Sequence, residues 1–293
     1  MSIRSMKKTD FRFHFSLRVR WVEVDMQKIV FNAHYLMYFD TAVGDYWRAL
    51  CLPYEAAMQS LGGDLFVKKA SIEFHASARF DDMLVIGMRC ERIGKSSITM
   101  VGGIFRGDEL LITSELIYVF ANPVAQTSLP VPMALRELML GFEQGQAMTQ
   151  MQTADWATLA DAIRPLRDEV FVGEQGVAPA IVFDDQDASA VHAVIRNHLG
   201  QTLASGRLLR EGAAASRTGR IGRMAVTRVM RGEGLGAQVL HALMQASAER
   251  GDTLVTLHAQ CSAEGFYSRL GYGVRGEPFV EAGIDHIEMV KTL

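Results

Sequence analysis

Alternating apolar and polar residues near the start of the chain place the strongest constraint on its fold. Every second residue from position 11 to position 21 is apolar, and the residues between them are polar or charged. A period of two predicts a β-strand with one buried face. The alternation changes phase at Val22, so we expect a bulge or a strand end near residues 21–22. Bulges commonly re-aim a side chain beside a functional site.

The pattern then changes to a helical period. Asn32 is a suitable N-cap for a helix, and Gly62 and Gly63 end the helical region. The apolar residues of this helix recur at steps of three and four: Leu36, Phe39, Val43, Tyr46, Trp47 and Leu50. Four segments with strand patterns follow, at about 65–79, 83–93, 96–106 and 109–121. One strand, one long helix and four strands is the order of a hotdog fold, in which a curled antiparallel sheet wraps around its helix.

The second half of the chain has a different order of elements. A short helix is expected from Ala134 to Phe142, and the Gln- and Met-rich stretch 141–153 is interpreted as a linker. Helices are then predicted over 156–171, with an interruption at Pro165, and over 234–250 and 263–270. Strands are predicted at 190–196, 202–210, 220–226, 253–259, 272–276 and 284–291. We therefore expect an α+β chain with domains at 1–140 and 154–293, the second an α/β domain.

Composition excludes several classes of protein. A chain of 293 residues is long enough for two domains. Its content of 49% apolar and 22% charged residues is typical of a folded protein. Basic and acidic residues are balanced in both halves, so no nucleic-acid partner is expected. The dispersed Cys51, Cys90 and Cys261 indicate neither disulfides nor a metal site, and they fit a cytoplasmic protein. No segment is long and apolar enough to predict a membrane span.

The loop between the first strand and the long helix contains Asp25. Hydrolysis of a thioester needs a carboxylate that attacks or activates water, and a donor for the developing oxyanion. A helix N-terminus provides that donor through its free backbone N–H groups and its dipole. One short segment, from Asp25 to Asn32, can therefore supply both parts. The alternative is that Asp25 is an ordinary loop carboxylate and Asn32 only a cap.

Residues 25–40 resemble the Asp-loop of the YbgC and 4-hydroxybenzoyl-CoA thioesterase families. The residues that carry this resemblance are Asp25, Ile29, Tyr35, Leu36, Tyr38, Phe39 and Asp40, within a likeness that spans about residues 12–135. The resemblance implies a hotdog acyl-CoA thioesterase domain. It further implies that Asp25 is the nucleophile or general base, and that the N–H of Asn32 or its neighbour polarises the thioester carbonyl.

Two positions depart from this family pattern. Lys28 stands where many relatives have glycine, and Asn32 stands where the YbgC branch has a histidine. The 4-hydroxybenzoyl-CoA branch also lacks that histidine, so its loss is compatible with thioester hydrolysis. Lys28 is either a contact for a CoA phosphate or a solvated loop lysine.

The second half contains a glycine-rich turn between a predicted strand and a predicted helix. The strand ends at Met224, Ala225 and Val226, and the turn reads Arg231, Gly232, Glu233, Gly234, Leu235, Gly236 and Ala237. Glycines let backbone N–H groups converge on a phosphate, and a helix N-terminus adds positive potential. This arrangement suits a diphosphate, although a plain glycine-rich turn is the alternative. It lacks both the Rossmann spacing and the lysine of a P-loop.

Residues 156–293 resemble the GNAT acyltransferases, and their ElaA-like branch in particular. The residues that carry this resemblance are Arg231, Gly234 and Gly236, followed by Phe266, Tyr267 and Gly271. The resemblance implies that the backbone of 224–226 holds pantetheine and that the amides of 231–237 bind the CoA diphosphate. It also implies Tyr267 as the acid that protonates the departing thiolate, unless it is only a packed helix tyrosine. Glu174, His258 and His286 are weak candidates for a general base.

The sequence therefore predicts a bifunctional enzyme, with acyl-CoA hydrolysis in the first domain and acetyl transfer to an amine in the second. The expected ligands are acyl-CoA and acetyl-CoA as substrates, without a metal, and the amine acceptor is not predicted. The alternative is that one domain is inactive and serves as a CoA-ester sensor or oligomerisation module. Hotdog domains usually pair, so a homo-oligomer through the first domain is expected by analogy.

Overall fold

The computed structural model of the chain describes residues 6–212 and 216–293. These residues form two compact units, which divide between Met148 and Thr149. None of the helices in the described residues combines the length and apolar character that a bilayer crossing requires.

The first unit is built from one antiparallel sheet and three helices. In chain order its elements are β1 (Phe13–Arg18), α1 (Asn32–Ala49), α2 (Tyr54–Leu61), β2 (Asp64–Phe74), β3 (Met83–Ile93), β4 (Ser97–Arg106), β5 (Glu109–Asn122), β6 (Thr127–Ser128) and α3 (Met133–Glu143). The sheet order is β1-β3-β4-β5-β2, and β6 pairs with β5. This confirms the predicted hotdog domain.

Helix α1 packs its apolar face onto the sheet. Phe39 is fully buried, and a Cβ at Gly102 of β4 would lie 2.7 Å from its ring, so glycine permits this close approach. Burial of such a side chain stabilises the fold by roughly 1.5–3 kcal/mol. The predicted face was wrong at one position, because Leu36 is 41% exposed while Tyr35 and Tyr38 are buried.

Two boundaries in the first unit differ from the expectation. Residues Trp21–Glu23 form a 3-10 turn, and this turn produces the change of phase predicted near residues 21–22. Asn32 is the first residue of α1 and not its cap. Phe31 occupies the cap position with extended backbone, and no side chain caps the helix there.

The second unit is built around a seven-stranded mixed sheet. Its elements are β7 (Thr149–Ala154), α4 (Trp156–Arg167), α5 (Pro179–Val182), β8 (Val191–Asn197), β9 (Thr202–Glu211), β10 (Thr218–Val226), α6 (Leu235–Glu249), β11 (Leu254–Gln260), α7 (Glu264–Arg269), β12 (Gly273–Glu281) and β13 (Ile284–Thr292). The sheet order is β12-β13-β11-β10-β9-β8-β7, and only β10 and β11 pair in parallel. This mixed sheet confirms the predicted α/β class.

Two sequence predictions for the second unit were wrong. Residues 149–153 were assigned to the linker, but together with Ala154 they form β7 and pair with β8 along their whole length. Pro165 does not interrupt its helix, because α4 continues to Arg167 and the backbone then widens into a π-helix over Asp168–Glu174. Proline breaks one helical hydrogen bond, and neighbouring contacts can keep the helix intact around it.

Candidate functional sites

A tight turn in the first unit presents Asp25. The N–H of Lys28 donates to the Asp25 carbonyl and the N–H of Asp25 donates to the Ile29 carbonyl, both at 2.9 Å. The Asp25 carboxylate accepts the Gln27 N–H at 2.8 Å. Asp25 is half-buried, and it forms no ion pair with any other residue in the described parts of the chain. Its carboxylate is therefore fixed by the turn without being neutralised by a cation.

The turn also shows the backbone conformation of Lys28, which departs from the family pattern that the sequence suggests. Lys28 has φ +61°, in the left-handed region that side chains rarely adopt. A lysine here carries backbone strain that a glycine would not. The ε-ammonium is exposed.

The chain then leads from this turn directly into α1. The N–H of Val30 donates to the Ala78 carbonyl and the N–H of Phe31 donates to the Glu23 carbonyl, each at 2.9 Å. Helix α1 begins at the next residue, and within the described residues the backbone N–H groups of Asn32 and Ala33 have no protein acceptor. Asp25 and two free helix donors therefore lie at the two ends of one anchored loop.

Glu23 anchors this loop to α1, and sequence reasoning missed it. Its carboxylate is only 1% exposed and accepts the Arg20 N–H at 2.7 Å, the Arg20 guanidinium and the Tyr38 hydroxyl. Burial by itself would raise the pKa of Glu23, but the hydrogen bonds from Arg20 and Tyr38 outweigh it and hold the pKa below its usual value. In the sequence, its role was indicated only by its position, since Glu23 is an acidic residue next to the point where the alternating pattern changes phase.

A second tyrosine of α1, Tyr35, contacts the segment that connects β2 to β3. The Tyr35 hydroxyl accepts the Ala78 N–H at 2.9 Å. Burial raises the pKa of Tyr35; the Ala78 hydrogen bond lowers it, whereas the carboxylates of Asp82 and Asp25 add to the increase. Tyr35 and Tyr38 thus fix the start of α1 against the segments that carry Asp25.

Replacement of Glu23 by glutamine should destabilise the first unit by about 1–3 kcal/mol, because a buried amide cannot accept all of these hydrogen bonds. Since the folded pKa of Glu23 is lowered, its stabilisation is complete above the unfolded pKa and is lost as pH falls through the folded value. E23Q should therefore lose less stability than the parent chain between about pH 7 and about pH 4.

Hydrogen exchange of peptides from α1, followed by mass spectrometry at both pH values, measures this stability separately from the second unit. Glu55→Gln is the matched control, because Glu55 is exposed on α2. Equal protection of α1 in E23Q and in the parent chain would contradict the anchoring role of Glu23.

The central feature of the second unit is the separation of β10 from β11. Their parallel ladder pairs Thr218–Ile221 with Leu254–Leu257 and then ends, although both strands continue. A bulge between Gly222 and Ala225 turns β10, with Arg223 at φ +51°. After the bulge, Ala225 and Val226 pair with Ser205 and Ala204 of β9. Within the described residues, no strand pairs with the other edge of residues 224–226. A cleft of about 170 Å³ opens there, and its lining includes Met224, Leu257 and Tyr267.

The glycine turn after β10 leaves a series of free backbone donors. Helix α6 begins at Leu235, preceded by Gly234 at φ +76° and Gly232 at φ +94°. Positive φ values of this size favour glycine, and a Cβ at either position would meet no atom within 4 Å. Within the described residues, the N–H groups from Gly232 to Ala237 have no protein acceptor. Such a turn at a helix N-terminus can bind a diphosphate.

The Arg231 side chain folds back from this turn. Its Nε donates to the Val226 carbonyl at 3.0 Å, and its Nη2 pairs with Glu174 at 2.6 Å. Glu174, one of the weak candidates for a general base, therefore forms an ion pair beside the turn. Glu233 is exposed in the same turn.

Tyr267 lies on α7 and lines the cleft. It is 8% exposed, and burial raises its pKa to about 12. At neutral pH its phenol is therefore protonated and can donate a hydrogen bond or a proton. Its ring also packs edge-on against Phe266 and Tyr272.

A buried ionic network holds the bulge of β10 in place. Arg167 is fully buried and binds both carboxylate oxygens of Asp187 at 2.8 and 3.0 Å, and Arg207 pairs with Asp187 and Asp184. Arg223, in the bulge itself, pairs with Asp184 at 3.0 Å. Because unpaired buried charges are costly, this network restrains the bulge and the cleft beside it.

Comparison with known proteins agrees with these two folds. The thioesterase superfamily matches residues 27–113 and the acetyltransferase (GNAT) domain family matches residues 181–293. The first match begins after Asp25, whereas the second includes the glycine turn and Tyr267. In the described residues, no group of three or more His, Cys, Asp or Glu side chains is arranged to hold a metal ion.

Individual relatives each match about half of the chain. The uncharacterized N-acetyltransferase YjcF of Bacillus subtilis (strain 168) is 32% identical over 127 residues, which are 43% of this chain and 87% of YjcF. A putative N-acetyltransferase structure from Lactobacillus plantarum has 29% identity and a TM-score of 0.46, with 50% of this chain and 99% of that one covered. A probable thioesterase structure from Bartonella henselae has 24% identity and a TM-score of 0.38, with 41% and 98% covered. The chain therefore belongs to the GNAT acetyltransferase family and carries, earlier in its sequence, a hotdog domain of the thioesterase superfamily.

Proposed function

We propose that the chain hydrolyses acyl-CoA thioesters with its first unit and transfers an acetyl group from acetyl-CoA to an amine with its second. The observation that supports this most strongly is the series of free backbone N–H groups from Gly232 to Ala237. These groups lie in the turn that follows β10 and in the first residues of α6. Both domain families also supply enzymatic folds for CoA thioesters.

In the first unit, Asp25 is the proposed catalytic carboxylate. It either attacks the thioester carbonyl carbon itself or removes a proton from the attacking water. The N–H groups of Asn32 and Ala33 stabilise the negative oxygen that develops, because they are fixed and point away from the helix body. If water attacks, the C–S bond then breaks to give the free acid and the CoA thiol directly. If Asp25 attacks, the C–S bond breaks to release the CoA thiol and leaves an anhydride between the acyl group and Asp25, which water hydrolyses to the free acid.

In the second unit, the substrate is proposed to lie along the open edge of β10. The backbone of Met224, Ala225 and Val226 bonds the pantetheine as a further strand would. The amides of residues 232–237 bind the diphosphate, whereas the predicted amide of Arg231 is excluded because it donates to the Arg228 carbonyl. The amine attacks the acetyl carbonyl carbon directly. As the C–S bond breaks, Tyr267 donates its proton or a hydrogen bond to the departing sulfur, since its phenol is protonated at neutral pH.

Asp25→Asn should reduce thioester hydrolysis by about 10²–10⁴-fold, because the amide can neither attack nor accept a proton from water. The measurement is steady thiol release from a panel of short, medium-chain and aromatic acyl-CoAs, with no amine present. Asp108→Asn is the matched control, because the Asp108 side chain is 99% exposed in the same unit.

Full activity in D25N would exclude Asp25 as the catalytic group. Absence of hydrolysis by the parent chain across the whole panel would contradict the thioesterase proposal. If acyl-CoAs nevertheless raised the melting temperature of a Gly234→Glu chain, in which the proposed site of the second unit is blocked, the first unit would be a CoA-ester sensor, the alternative function.

Acetyl-CoA should raise the melting temperature of the chain by a few degrees at saturating concentration, because it binds only the folded second unit. Gly234→Glu should abolish this shift. The substitution places a side chain at a positive φ and a carboxylate where the diphosphate charge is proposed to lie.

Gly200→Glu is the matched control, since Gly200 also has a positive φ, +77°, with open space around it, in the turn between β8 and β9. Differential scanning fluorimetry with and without acetyl-CoA measures both variants. An unchanged shift in G234E would refute the diphosphate assignment.

We also propose that the chain forms a homo-oligomer through its first unit. Strand β2 is an edge strand of 11 residues, paired on one side with β5. Phe66, Val67 and Phe74 on this strand are 46–55% exposed. A long edge with exposed apolar side chains is a template for pairing with a second chain.

Light scattering after size-exclusion chromatography should show a mass of at least two chains. The double substitution Phe66→Glu and Val67→Glu should shift it to one chain, since like charges would face each other across the edge. Arg92→Glu, at an exposed position of β3, should leave the mass unchanged. A monomeric parent chain would contradict this proposal.

A further inference from the structure

A histidine and a carboxylate meet in the cleft of the second unit. His258 on β11 and Glu281 at the end of β12 both line the cleft, and Nδ1 of His258 lies 2.7 Å from Oε2 of Glu281. Burial by itself would raise the pKa of Glu281, but the His258 hydrogen bond and the nearby His286 and Arg220 charges hold it below the usual value. Glu281 is therefore a carboxylate at neutral pH.

This contact determines the tautomer of His258. A carboxylate cannot donate a hydrogen bond, so Nδ1 of His258 must carry the proton. In the neutral ring Nε2 then has a free lone pair. The ring is held by an edge-on contact with Phe279, with centroids 4.8 Å apart. A positioned imidazole with a carboxylate behind it is arranged to accept a proton, because the carboxylate stabilises the cation that forms.

The other charged groups near His258 are already engaged or carry positive charge. Glu288 on β13 pairs with Arg275 on β12 at 2.5 Å. Arg220 on β10 lies in the cleft and opposes a second positive charge there. Nδ1 of His286 on β13 donates to the Ile284 carbonyl at 2.8 Å, and within the described residues no carboxylate bonds to this ring as Glu281 bonds to His258. His258 is thus the histidine of the cleft that has a carboxylate bonded behind its ring.

A small apolar pocket of about 70 Å³ adjoins this pair. It shares Glu281, His286, Gln260 and Arg223 with the cleft, and its own lining adds Val177, Ile181, Val182 and Ile284. A cavity that holds benzene measures about 150 Å³. The pocket therefore suits a short aliphatic group better than an aromatic ring.

Building on the proposed acetyl transfer, we infer that His258, positioned by Glu281, accepts the proton of the attacking amine, and that the acceptor is a primary amine on a short aliphatic chain. The amine nitrogen forms a bond to the acetyl carbon as the C–S bond breaks. The proton of the amine passes to Nε2 of His258, and the thiolate takes a proton from Tyr267 or from water. The products are an amide and the CoA thiol.

The test uses the full chain in the D25N background, so that hydrolysis by the first unit does not contribute. Amine-dependent thiol release from acetyl-CoA is measured with propylamine, isobutylamine and isopentylamine, and with benzylamine as the aromatic comparison, across a pH series. The substitutions are His258→Gln, Glu281→Gln and His286→Gln. His241→Gln is the matched control, because His241 is exposed on α6.

The aliphatic amines should be acetylated in preference to benzylamine. H258Q should reduce kcat/KM by about 10²–10³-fold, with the acetyl-CoA melting shift retained. In profiles of kcat against pH it should remove the acidic limb that the ionisation of the amine itself does not explain. E281Q should lower kcat about tenfold and move the acidic limb to lower pH, since the imidazolium loses its counter-charge. H286Q should lose less than H258Q, and H241Q should lose nothing.

Equal rates in H258Q and H241Q, or an equal loss in H286Q, would overturn the assignment to His258. No turnover with any aliphatic amine, while acetyl-CoA still raises the melting temperature, would overturn the acceptor class and leave the CoA site standing. Absence of the melting shift itself would instead contradict the proposed acetyl transfer, and this inference with it.

Discussion

Both candidate sites depend on backbone N–H groups that a helix N-terminus leaves without an acceptor. At α1 these are the amides of Asn32 and Ala33, and at α6 they extend from Gly232 to Ala237. Fixed amide dipoles need little reorganisation when negative charge approaches, so they suit an oxyanion or a diphosphate without a cationic side chain. This fits a chain whose charges are nearly balanced in both halves.

Buried charges hold the start of α1 and the bulge of β10 in place. In the first unit, the carboxylate of Glu23 ties the turn at Trp21–Glu23 to Tyr38 of α1. In the second, the network from Arg167 to Arg223 ties the bulge of β10 to the loop around Asp184. Removing one partner of such a group leaves the other charge buried and unpaired, so the arrangement favours a single geometry. The sites are thus built on restrained segments.

Much of the fold could be predicted from local patterns. The strand segments after Gly63 and the helix over 234–250 follow from side-chain periodicity, which reports the buried face directly. Local patterns failed where tertiary contacts decide. Residues 149–153 are mostly polar and were assigned to a linker, yet they belong to β7 because β8 offers an edge for pairing. The face of α1 was misjudged at Leu36 because the helix turns Tyr35 and Tyr38 toward Ala78 and Glu23.

The sequence by itself determined that the chain has two different domains, the positions of Asp25 and the glycine turn, and the ligand chemistry that these motifs suggest. These features are local, since a periodic pattern or a glycine turn is complete within a few residues. The pairing of His258 with Glu281, the burial of Glu23 and the opening between β10 and β11 were decided only by tertiary structure. Each joins residues distant in the chain, or depends on where a strand ladder ends, and no short segment contains that information.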